Sequence, residues 1–381
     1  MNTAFPFGFE VSLTFYLTVY VLTLVVHVVL MAYVLAGSLW LTWASLFPGK
    51  DETPRTMQPM SRLLRDWMPF ALSGAITAGV APLLFVQILY PQPFYTANLL
   101  LGWRWMVVIP ILITVFYLLY VVKSRAIASW GLPLRVLLAC SVAACFLFIA
   151  FCWTANHLLS LNAANWPTTF QSGVAVTSAI TLILRLLTWV CGTLPVMSLL
   201  GTWQLRGMRT RTAKWDSESS DTLSSINWNS SFAQENHRLM NLSVAGTIGA
   251  VVFAAFYFFR LDNDVRTSVT GPAGFPWLIA LLASSAAIVV VSVLLRKKSA
   301  TPLLSLLGLT TAQIVFLIAA ASLREIVRLA QADLQTVAAS AADAFQIGGF
   351  GVFLIFAVIN AGLIALCIVL VKGKPQATQS E

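Results

Sequence analysis

Three histidines occur in the chain, and one of them, His27, stands inside the otherwise apolar run VVHVVLMAY at 25–33. An imidazole in such a run has two uses. It can stay neutral and hydrogen-bond a neighbouring helix, or it can offer a ring nitrogen as an axial ligand to haem iron. Met31 lies one helical turn further on the same face, and Gly37 leaves room for another helix or a flat macrocycle to approach. Arg185, in TLILRLLTWVCG, is the second ionisable group at apolar depth, and no acidic residue occupies the middle of any apolar stretch to neutralise it. Its guanidinium either snorkels along its own helix or meets a non-protein anion such as a haem propionate or a lipid phosphate. His157 falls at the end of one apolar stretch and His237 in a polar linker, so neither shares the depth of His27.

A third cluster, QILYPQPFYTANLLLGWRW at 87–105, gathers Tyr90, Phe94, Tyr95, Trp103 and Trp105 around Arg104. An interfacial aromatic belt accounts for this composition, and a surface that receives a quinone-like ring or a partner subunit is the alternative. The five cysteines, Cys140, Cys145, Cys152, Cys191 and Cys367, all lie in apolar stretches without a CxxC or CxxCH spacing, which makes them small packing residues.

The elements that must hold these residues are membrane helices. The 381 residues are 59% hydrophobic and 10% charged, with a mean hydropathy of +0.83, which excludes an ordinary soluble domain. Nine stretches reach the roughly 20 apolar residues a span requires: 13–46, 68–90, 104–123, 134–158, 173–205, 239–260, 275–295, 302–322 and 347–371. The fold class is therefore an all-α polytopic membrane protein of nine helices. With the N-terminus outside and the C-terminus inside, inner segments carry 17 Lys and Arg and outer segments 5, as the positive-inside rule demands. The net charge of +9 then reflects topology and anionic lipid, and implies no nucleic acid. No basic segment precedes the first apolar stretch, since Lys50 is the first Lys or Arg, so that stretch is expected to remain as an anchor.

The organisation expected is a five-helix half over 1–205, a mobile polar connector over 206–238 on the cytoplasmic side, and a four-helix half over 239–381. Within the latter, 323–346 aligns Leu323, Ile326, Val327 and Leu334 opposite Arg324, Arg328 and Asp333. That stripe predicts a helix lying on the outer surface or extending the eighth span. The near balance of Glu325, Asp333 and Asp343 against Arg324 and Arg328 points to a protein partner rather than lipid.

The layout resembles subunit I of the cytochrome bd oxidase superfamily. The resemblance rests on nine helices, on the His27 run HVVLMAYVLAGSLW (27–40), and on the small-residue stretch MPFALSGAITAGVAPLLFVQILYPQPFY (68–95) with its Gln before an aromatic turn. At motif level it covers 10–205. It implies a bacterial cytoplasmic membrane and one haem b on His27, with Met31 and Arg185 as its neighbours. Three departures accompany it: Thr188 stands near the place of the family's second haem-ligating histidine, the third helix has no glutamate, and the loop over 260–275 is too short for a quinol-binding loop. These departures point to a divergent relative that lacks the full oxygen-reducing set and associates with c-type cytochromes.

Three functions follow as expectations. The first is a membrane subunit of a respiratory electron-transfer complex, docking a c-type cytochrome through Trp103, Arg104, Trp105, Arg324 and Arg328. The second is a haem-free scaffold of the same ancestry. The third is a transporter or lipid-handling protein that binds an anion at Arg185; it lacks the paired broken helices many transporters show.

Overall fold

The computed structural model describes residues 10–47, 55–124, 127, 130–173, 178–218, 228–298 and 301–348, with shorter pieces between 351 and 366. Eight of its helical stretches are long and apolar enough to cross a membrane. The ninth predicted span, 347–371, lies largely outside the described residues.

The spanning helices are α1 (Val11–Leu46), α2 (Pro59–Leu89), α5 (Val108–Lys123), α6 (Leu132–Leu161), α8 (Ala179–Glu218), α9 (Trp228–Phe259), α11 (Phe275–Leu295) and α12 (Leu303–Leu329). Short helices join them: α3 (Pro91–Leu101) and α4 (Trp103–Met106) before α5, α7 (Trp166–Ser172) before α8, α10 (Asn263–Thr270) before α11, and α13 (Leu334–Ile347) after α12. We call the end of the bundle where α1 begins the first face, and the end where it finishes the opposite face.

α1 is the hub, touching α2, α6, α8, α12 and α13. Its 36 residues extend ~54 Å at 1.5 Å per residue, well beyond the hydrocarbon. The surplus at the first face is covered by α13, whose Val337 and Ala341 pack against Leu13, Tyr16, Leu17 and Tyr20.

Small residues set the closest approaches, as expected where lipid supplies no hydrophobic drive between helices. Pro195 interrupts α8 and has no N–H to offer the Cys191 carbonyl. That carbonyl lies only 2.8 Å from where a side chain on Gly246 of α9 would begin, with Leu194 and Pro195 equally close. Polar ties lock other pairs, among them Tyr33 to Gln204 at 2.8 Å and Trp203 to Thr310 at 3.0 Å. Asn236 donates to the carbonyls of Leu295 and Lys298 at 3.1 and 3.0 Å.

Two sequence expectations are narrowed. The described residues of the polar stretch 206–238 are helical, because α8 continues to Glu218 and α9 begins at Trp228; 219–227 lie outside the described residues. Straight-chain Leu205 and Met208 favour the helix and keep packing on the core. Second, of the two placements expected for 323–346, its first part takes the extension of the eighth span: α12 runs to Leu329 before the break that precedes α13, and this carries Arg324 and Arg328 along the same helix.

Candidate functional site: a buried arginine–histidine centre

The longer α12 reverses the predicted surface. Ile326 and Val327, expected to present an apolar stripe to a partner, pack instead against Val265 and Val269 of α10, with Trp277 and Leu323 beside them. The short loop over 260–275 supplies that cover. Arg328 turns inward and is 6% exposed, and Glu325 is 2% exposed. Arg324 and Arg328, read as docking residues, thus share a face turned toward the bundle: an i, i+4 pair of arginines on a helix fixes a polar face, but the neighbours decide whether that face meets solvent or the bundle.

What the inward face meets is a polar centre near the first face, built from five helices. His157 of α6 lies in the middle. Arg185 of α8 places Nη2 3.0 Å from its Nε2, while Arg328 and Arg324 place their Nη2 atoms 2.9 and 3.4 Å from its Nδ1. Tyr20 of α1 accepts from Arg324 at 2.7 Å and from Arg328 at 3.4 Å. The Glu325 carboxylate sits 3.7 Å from Arg328 and 3.9 Å from Arg324, and it accepts the Tyr90 hydroxyl at 2.5 Å. Two rings complete the enclosure by cation–π contact, Tyr90 under Arg328 at 4.7 Å and Tyr257 under Arg185 at 4.8 Å.

Two imbalances define this centre. The centre holds three guanidiniums and one carboxylate, which lies beside Arg324 and Arg328 only, leaving an excess of two positive charges among the described residues. A neutral imidazole has one acceptor nitrogen and one N–H, yet both nitrogens of His157 face guanidinium donors. Further donors go unused: the Nε atoms of Arg185, Arg324 and Arg328 are buried without a hydrogen-bond partner; the acceptor Glu325 Oε2, though within ion-pair range of Arg328 and Arg324, has no hydrogen bond either. Unpaired buried charge costs several kcal/mol per ion in low dielectric, so the centre as it stands is electrostatically unfavourable.

His27 lies elsewhere, midway along α1, with the Cε1–Nδ1 edge of its ring against Gly79 of α2. A side chain on Gly79 would begin 2.9 Å from the ring. Its Nδ1 is 2.9 Å from the Ala75 carbonyl. A carbonyl only accepts, so Nδ1 carries the proton and the Nε2 lone pair is left for an iron or another donor. That nitrogen suits an axial ligand, and close packing surrounds it. The two best-formed cavities among the described residues hold about 20 and 30 Å³, room for one water each. Gly37 packs on Leu64 and Met68, Met31 packs against the main core, and Arg185 is engaged at His157. Among the described residues no group of three His, Cys, Asp or Glu side chains gathers to hold a metal ion.

The aromatic turn divides in two. Trp105 is packed between Phe94 and Trp153, at ring distances of 5.9 and 4.9 Å. Trp103 is exposed, with Arg104 stacked over it at 5.5 Å.

Tyr20 and Tyr257, which sequence reasoning passed over, prove to belong to the centre, as do Tyr90, read only as part of the aromatic turn, and Glu325, read only as a surface charge; His157, near the end of its helix as expected, lies in the middle of the centre. The available signal was the close spacing of Arg324, Glu325 and Arg328 directly beyond an apolar helix. No known protein family, curated protein or solved structure matches the chain.

Proposed function

We propose that the chain is the integral membrane subunit of a respiratory electron-transfer complex, serving chiefly as a scaffold that holds c-type cytochrome partners carrying the redox groups. The motifs around His27 and along 68–95 support the ancestry. The observation that carries the scaffold reading is the use made of the interior. Its ionisable residues cross-tie α1, α6, α8 and α12 around His157 rather than lining a cavity for a macrocycle. With Arg324 turned inward, the docking surface reduces to the exposed aromatic rim, of which Trp103 and Tyr95 are the open members.

A second reading is favoured by one observation, the free Nε2 of His27: a single haem b on that nitrogen. A reduced-minus-oxidised absorption spectrum of the complex purified in mild detergent separates the two. The scaffold reading expects c-type bands from copurifying partners and no b-type band assignable to this chain. A b-type band that vanishes in His27→Ala establishes the haem reading instead. Purification from the native membrane without any cytochrome partner refutes the scaffold reading.

A further inference from the structure

We infer that the centre formed by Arg185, Arg324, Arg328 and His157 is a binding site for a phosphate-type oxyanion. The inference rests on the geometry of the centre and is independent of the respiratory reading.

Charge comes first. The excess of two positive charges matches a phosphate, which carries about −1.5 to −2 near neutral pH. Glu325 cannot supply the missing charge: Oε1 is taken by Tyr90, and Oε2 stands 3.7 Å or more from the guanidiniums. Hydrogen bonding gives the same answer. Three guanidinium Nε–H groups and one imidazole nitrogen lack acceptors, and a tetrahedral oxyanion presents several acceptor oxygens to such forks at once. Chloride would offset charge but could not satisfy donors arriving from three helices with the same geometry.

Access is available at one of the arginines. Arg324 retains 15% of its side-chain surface, whereas His157 and Arg328 are buried and the Arg185 Nε is enclosed. An anion therefore reaches the centre past Arg324 and is held by the others. The same tetrahedral oxygens are offered by free phosphate and, with less charge, by the phosphodiester of a lipid headgroup.

The test uses the full-length protein in detergent, before and after exhaustive detergent exchange. Bound phospholipid is counted by phosphorus assay and native mass spectrometry. Inorganic phosphate is titrated into delipidated protein at constant ionic strength against chloride, with melting temperature as the readout. A lipid source gives about one retained phospholipid per chain, lost at least tenfold in Arg324→Gln. A free-phosphate source gives a saturable, phosphate-specific rise in melting temperature that the same variant abolishes. Arg324→Lys, which keeps the charge but not the fork, binds about tenfold more weakly. Glu325→Gln, which removes the competing internal carboxylate, binds at least tenfold more tightly, a gain that damage to the fold cannot mimic. Arg104→Gln, at the exposed rim, changes neither readout. The inference is overturned if wild type shows neither retained phospholipid nor a phosphate-specific response, or if both persist unchanged in Arg324→Gln and Arg185→Gln.

Discussion

Glu325→Gln is the most informative single change to the stability of this bundle. The variant is nearly isosteric, so it tests charge rather than packing. In the native centre the carboxylate lies 3.7 Å from Arg328 and 3.9 Å from Arg324. At an effective dielectric of about 20, each such pair contributes ~4 kcal/mol of gross attraction. Arg324 is partly solvated, which discounts its share, and the carboxylate's own desolvation opposes both. The net cost of breaking a buried pair from one side is about 3–5 kcal/mol, because the guanidiniums are left uncompensated. The Tyr90 hydroxyl can still donate to the amide oxygen, so little is lost there. Equilibrium unfolding in mixed micelles, followed by tryptophan fluorescence in phosphate-free buffer, measures the difference. Arg328→Gln alone should also destabilise, but the double variant, having lost both charges, should be about 1–3 kcal/mol more stable than the sum of the two single losses predicts. A Glu325→Gln cost below ~1 kcal/mol, or strict additivity in the cycle, would refute the account of an electrostatically strained centre.

Four further outcomes are expected. Gly246→Ala drives a methyl against the Cys191 carbonyl and Pro195 and should cost about 1–3 kcal/mol, whereas Gly308→Ala, which meets open space, should be neutral or gain up to ~1 kcal/mol from helix propensity; the same unfolding assay compares them. Tyr90→Phe leaves Glu325 Oε1 without its donor and should cost about 1.5–3 kcal/mol. Asp333 caps α13 by accepting from Thr336 and Gln335. Those bonds hold its carboxyl below its ordinary value, so the cap is fully present above the usual aspartate range and is lost as pH falls through the lowered value; Asp333→Ala should reduce hydrogen-exchange protection over 334–338, and unchanged protection would remove the cap from the account. Gly79→Ala should displace the His27 ring from the Ala75 carbonyl, seen as a shifted imidazole resonance in protein carrying labelled histidine.

Hydropathy located the spans because a membrane helix must satisfy its backbone internally and expose an apolar surface, a demand that acts on composition alone. The eight described spans fall on the predicted stretches for that reason. The centre was less legible, and the difference is physical. Arg185 could be recognised as an ionisable group at apolar depth, but its neighbour His157 is 28 residues away in sequence and Arg328 is 171 residues from that histidine. No local pattern records such a meeting. The stretch 322–329 was the most misleading, because a helix carrying arginines on one side and Ile326 and Val327 on the other reads as amphipathic at a surface. The same pattern also serves a helix covered on both sides, its apolar stripe by α10 and its polar stripe by the bundle. Length decides between the two: once α12 is continuous from Leu303 to Leu329, Arg324 and Arg328 belong to a spanning helix, and a charge placed there must find a partner inside. Glu325 supplies only part of that partner. The two positive charges left over, in a centre where sequence alone assigned Arg324 and Arg328 to a docking face and offered Arg185 to a non-protein anion, become the reason to look for an anion within the bundle.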